Sequence, residues 1–90
     1  MRAPLPLGRV VATPGALNLL GKSGGHPFDY LAHHATGDWG ELCTFDRQQN
    51  EIALRDGYRV LSSYAVGTER VWIITEADRS VTTILLPEEY

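Results

Sequence analysis

Apolar positions along this chain follow two rhythms, and the change between them falls at Gly57. Residues 9–12, Arg-Val-Val-Ala, are short and β-branched, and they run into Thr13-Pro14-Gly15. Thr13 can cap a helix there and Pro14 can open it, so the pattern predicts a short strand followed by a short helix. Ala16, Leu17, Leu19 and Leu20 give that helix an apolar side, and Gly21 with the Ser23-Gly24-Gly25 cluster ends it. Pro27 opens a second helix in which Phe28, Leu31, Ala32 and Ala35 keep the i, i+3, i+4, i+7 spacing of one buried face, closed by Gly37. Trp39 then sits in a glycine-flanked loop, placed to plug the core. A third helix is expected from Asp46, where Asp46 and Gln49 imitate a capping box, to the stop at Gly57, with Phe45, Gln49, Ile52 and Ala53 inward.

After Gly57 the period becomes alternating, and residues 58–66, 70–76 and 80–86 read as strands separated by short turns. Consecutive strands joined this closely pair antiparallel. The expected fold is therefore α+β, with a short N-terminal strand and two or three short helices packed on a C-terminal three-stranded antiparallel meander. If both turns are two-residue loops, Arg59 faces Glu76, Ser63 faces Trp72 and Thr75 faces Ser80. One face of the meander then holds Leu61, Trp72, Ile74, Val81 and Leu85. The other holds Val60, Tyr64, Val71, Ile73 and Ile84 among Ser62, Thr75, Ser80 and Thr82. A sheet with one wet face alternates cleanly, so two apolar faces imply that something covers the second. The N-terminal segment, the Trp39 loop, a second copy of the chain and a foreign partner are the candidates.

Composition narrows the class. Ninety residues, 43% of them hydrophobic and 21% charged, suit a single domain spanning 1–90 and exclude a disordered chain or a coiled coil. Cys43 is the only cysteine, which rules out an internal disulfide framework and fits a reducing cytoplasm. The opening Met1-Arg2-Ala3-Pro4-Leu5-Pro6 breaks any apolar run with prolines, against a signal peptide, and no apolar stretch is long enough to span a bilayer. Eight Lys+Arg against 11 Asp+Glu give a net charge of −3, with the basic residues scattered. Nucleic acid is thus a disfavoured partner, because phosphate binding needs a basic stripe.

Candidate chemistry is sparse. His33 stands four residues beyond Asp29 and could serve as a base or metal ligand, but no HExxH, CxxC or comparable spacing accompanies it, so no metal and no cofactor are expected. A Cys43–histidine nucleophile pair has no supporting pattern either. The plainer reading of His33 and His34 is a solvated helix end, where histidine favours the macrodipole. An enzyme alternative combines His33 or His34 with Glu76 and Arg79. A metal-independent ribonuclease of the small toxin type needs little more than a base, a cation for the phosphate and an acid. The plainer reading has Asp78 and Arg79 shaping a turn while Glu76 pairs with Arg59. A protein-binding role draws instead on Trp39, Tyr64, Arg70 and Trp72, since aromatics and arginine dominate interface energetics.

The stretches Thr36-Gly37-Asp38-Trp39-Gly40, Leu61-Ser62-Ser63-Tyr64 and residues 72–90, from Trp-Ile-Ile-Thr-Glu-Ala-Asp-Arg-Ser to Leu-Pro-Glu-Glu-Tyr, carry a resemblance. From about Pro6 onward the chain resembles a family of short plasmid-related proteins of bacterial plasmids and integrating elements, for which no activity is established. Cys43-Thr44-Phe45 departs from it where a more acidic linker is expected, which argues against Cys43 as a shared nucleophile. The resemblance implies cargo of a mobile genetic element in a bacterial cytoplasm. It suits a small non-enzymatic accessory protein that binds a protein partner, or itself through the sheet, and so inhibits a host defence such as CRISPR or restriction.

Overall fold

The computed structural model describes residues 4–90; the proline-broken opening begins with Met1–Ala3, which lie outside them. In chain order the elements are β1 (Arg9–Ala12), α1 (Pro14–Ser23), α2 (Pro27–Ala35), α3 (Thr44–Asp56), β2 (Val60–Val66), β3 (Glu69–Thr75) and β4 (Val81–Leu85), followed by a 3-10 turn, Pro87–Glu89. The fold is α+β, as expected. The meander β2-β3-β4 is antiparallel, and β1 joins it parallel to β4, giving the order β1-β4-β3-β2. No helix among the described residues is long and apolar enough to cross a membrane.

Local chemistry sets the helix ends. Thr13 Oγ1 accepts from the Ala16 amide at 3.1 Å, and Gly24, at φ 75°, closes α1. Gly57, at φ 81°, closes α3. That helix starts earlier than Asp46: Cys43 takes the cap position without a side-chain bond.

The inward faces of α2 and α3 differ from the periodic reading. Leu31 and His34 are buried on α2 while Phe28 is 72% exposed; Asn50 and Ala53 are buried on α3 while Phe45 is 66% exposed. The physical reason is shared: a polar side chain with fixed partners went inward and displaced an apolar one. Asn50 donates to the Leu61 carbonyl at 2.6 Å and accepts from the Leu61 amide at 3.1 Å. Those two bonds satisfy the outer edge of β2, which no strand pairs. The next outward residue, Ser63, is satisfied by the Trp39 carbonyl and the Glu41 amide. Over Leu61 and Ser63 the otherwise unpaired edge is thereby closed from its own chain.

The first hairpin keeps the expected register, with Ser63 opposite Trp72. The second is shifted by two residues: Thr75 faces Thr82, because Ala77 to Ser80 form a four-residue loop closed by Glu76 N–H to Val81 O, 3.0 Å. An even shift changes partners and keeps faces. Val60, Ser62, Tyr64, Val66, Val71, Ile73, Thr75, Thr82 and Ile84 therefore share one buried face. Ala16, Leu19 and Leu20 of α1 and Leu31 of α2 pack on it, and Ala53 of α3 joins Val60, Trp39 and Leu5 in an adjoining cluster. All three helices thus bury their apolar sides against the same face, and the opposite face of the sheet carries no helix.

Candidate functional site

Cross-strand pairing lays the helix-free face out in rows. Val11, Thr83, Ile74 and Leu61 form one row; Leu85, Trp72 and Ser63 form the next; Arg9 lies opposite Val81 at one end, and Arg70 lies opposite Ala65 at the other. Ile74 and Leu85 are buried, whereas Leu61, Trp72, Val81 and Thr83 are only half-buried and Val11 is exposed. The cover is small. The 3-10 turn brings Tyr90 against Trp72, edge to face at 5.7 Å, and Arg59 donates to the Tyr90 hydroxyl at 2.6 Å with its guanidinium 5.8 Å from the ring centroid. Arg59, Leu61, Trp72, Ile74 and Tyr90 line an open groove of about 260 Å³.

The turn that carries Tyr90 is anchored. Glu89 accepts from the Thr13 hydroxyl at 2.6 Å and from the Leu86 amide at 2.8 Å, and these bonds hold its carboxyl below the usual range. The cap of α1 and the wall of the groove are consequently one hydrogen-bonded unit.

Of the residues singled out for binding, Trp72 and Arg70 lie on this face and Trp39 and Tyr64 do not. Trp39 is 3% exposed and plugs the cluster of Leu5, Ala53 and Val60. Tyr64 is in the main core, its hydroxyl donating to the Asp38 carbonyl at 2.7 Å, and burial pushes its pKa up to about 12. Arg70 reaches Ser63 Oγ at 3.3 Å and the Glu41 carboxylate at 3.9 Å.

The residues of the enzyme alternative are dispersed. His33 is exposed at the end of α2, its Nδ1 3.0 Å from Asp38. His34 is buried, with Nδ1 on Ser62 Oγ and Nε2 2.9 Å from Thr75 Oγ1, and burial lowers its pKa to about 4. Arg79, at φ 61°, sends its guanidinium to the carbonyls of Tyr58, Glu76 and Ala53. It ties the turn to the end of α3. Glu76, half-buried, makes no ion pair with Arg59, whose guanidinium goes to Tyr90 instead. A cleft of about 470 Å³ does reach both His34 and Arg79, but neither His33 nor Glu76 lines it.

Cys43 is exposed, and no group of three or more His, Cys, Asp or Glu among the described residues is placed to hold a metal ion. Sequence reasoning assigned Arg59 to Glu76 and passed over Tyr90, Asn50 and the interior role of His34. Ser62, Thr75 and Thr82 on an otherwise apolar face were the available signal for His34: three hydroxyls heading inward need a shared polar partner.

No protein-family model, no curated protein and no solved structure matches this chain.

Proposed function

We propose that the protein acts by binding another protein through the helix-free face of its sheet, with no reaction of its own. One observation carries this reading: apolar side chains of β2, β3 and β4 remain half-buried around an open groove, although all three helices pack on the other side. A sheet face of this kind is normally covered, and interface centres have this composition of aromatic and arginine beside aliphatic residues. The resemblance to plasmid-related proteins supports a bacterial setting, with a host defence complex of the CRISPR or restriction kind as the partner to be blocked.

The test is co-purification from the native bacterium of the wild type, Leu61→Glu on the helix-free face, and Phe28→Ala on the exposed side of α2. A defined partner retained by wild type and Phe28→Ala and lost by Leu61→Glu agrees with the proposal. Retention by all three contradicts it.

A small metal-independent ribonuclease is the second reading, favoured by the single observation that one cleft reaches His34 and Arg79. Incubating the purified protein with RNA decides it, since cleavage abolished by His34→Gln is what that reading requires.

A further inference from the structure

The charges on the helix-free face say which kind of protein segment it takes. Arg9, Arg59 and Arg70 lie on this face around its apolar centre, in a chain where 11 Asp+Glu outnumber 8 Lys+Arg. Arg70 has Glu41 within 3.9 Å. Arg9 and Arg59 have no carboxylate within ion-pair distance among the described residues, and Arg59 spends one N–H on the Tyr90 hydroxyl. The nearest carboxylate to Arg59 along the chain, Asp56, pairs with Arg55 instead. Asp29, Asp46, Glu51 and Asp56 lie on the helices, and of the two glutamates on the 3-10 turn beside the groove, Glu89 is spent on Thr13 and the Leu86 amide.

A groove floored by Leu61 and Ile74 and walled by Trp72 and Tyr90 accepts an aliphatic or aromatic side chain. The guanidinium at its lip has four N–H groups left to donate, in a fork that matches a carboxylate. Resting on the docking role argued above, we infer that the face binds an acidic protein segment: an apolar anchor residue enters the groove, and a neighbouring carboxylate pairs with Arg59. Arg9 and Arg70 then set the direction from which acidic flanks approach.

Two other occupants fit less well. A second copy meeting this face symmetrically would bring the same arginine-rimmed groove against itself, like charge against like. A single-stranded nucleic acid needs open aromatic faces for stacking, whereas Tyr90 already abuts Trp72 and the groove floor is aliphatic.

The experiment titrates isotope-labelled protein with three short synthetic peptides that share a central leucine, flanked by glutamates, glutamines or lysines, and with a single-stranded RNA oligonucleotide. Amide and indole shifts report the site. The glutamate peptide is expected to shift Leu61, Trp72 and Ile74 and to bind at least about tenfold more tightly than the glutamine peptide, a gap of about 1.4 kcal/mol. Arg59→Gln is expected to erase that difference while leaving the fold's spectrum intact, and Trp72→Ala to weaken both peptides together. Equal binding of the three peptides, no binding of the glutamate peptide, RNA shifting the same residues, or concentration-dependent self-association through them each overturns the acidic-segment inference. The docking role itself fails separately, if the partner co-purified from the host is indifferent to Leu61→Glu.

Discussion

His34 Nε2 lies 2.9 Å from Thr75 Oγ1, in a buried chain of hydrogen bonds whose donor directions are set from the Leu7 carbonyl at its far end. Thr82 donates to the Leu7 carbonyl at 2.7 Å, so its oxygen must accept from Thr75 across their 2.7 Å contact. Thr75 has then used its proton, and Nε2 must donate to it. Nδ1 is left as the acceptor of the Ser62 hydroxyl. A neutral imidazole satisfies every member of the chain, and all four side chains are essentially inaccessible to water.

Acid should therefore loosen the fold through this residue. The folded pKa, about 4, lies below the ordinary histidine value of 6.5, so between those limits the unfolded chain binds the extra proton. The stabilisation is complete above about pH 6.5 and is lost as pH falls toward 4, for a total of about 3 kcal/mol. Urea unfolding across that range measures it. His34→Gln is expected to be less stable near neutrality and to lose this part of the pH dependence.

Asn50 predicts a different failure. Removing its amide in Asn50→Ala leaves both backbone groups of Leu61 unpaired at a strand edge, a loss of about 1–3 kcal/mol. Hydrogen exchange should show the Leu61 amide unprotected in that variant while Ile73 amide protection falls only with global stability.

Core and face separate cleanly in a pair of truncations. Ile73→Ala, at a site with 0% exposure, is expected to cost about 2–5 kcal/mol. Trp72, one residue along and on the other face, is half-buried, so Trp72→Ala should cost less than Ile73→Ala in the same denaturation assay while weakening partner binding more. Equal losses of stability would make Trp72 a core residue.

Glu89 offers a test of how the groove wall is held. Glu89→Ala removes the bonds to Thr13 and Leu86, and should release Tyr90 from Trp72. The near-ultraviolet circular dichroism of the tryptophan band is expected to drop, with little change in the far-ultraviolet signal.

Gly40 is strained for any other residue. At φ 73° its missing Cβ would land on the Ser63 carbonyl oxygen, the acceptor of the Glu41 amide, so Gly40→Ala should cost about 1–3 kcal/mol and unseat Trp39. Quenching of tryptophan emission by an added small molecule reads the exposure of that ring.

Much of this architecture was legible from the chain, for reasons that particular residues make plain. Thr13-Pro14, Pro27 and Gly57 act through local backbone geometry, so they placed helix starts and stops without knowledge of the fold. Alternation after Gly57 assigned both sheet faces correctly, and the four-residue loop at Ala77–Ser80 cost only partners, since it shifted register by two. What could not be read were inward polar residues. Asn50 and His34 are buried because Leu61, Ser62 and Thr75 wait for them from distant strands, and a helical wheel that counts only apolar residues turns Phe28 and Phe45 inward in their place. The site suffered the same blindness: Tyr90 reaches Trp72 only through a turn pinned by a side chain 76 residues away in sequence.

The central claim concerns which side of the sheet meets a partner, and site-specific photo-crosslinking in the native host addresses it most directly. A photoreactive residue placed at Leu61, facing the groove, should yield one discrete covalent adduct, and the same group at Phe28, on the exposed side of α2, should yield none. An adduct at position 28 without one at 61 would contradict the assignment and move the working surface to the helices.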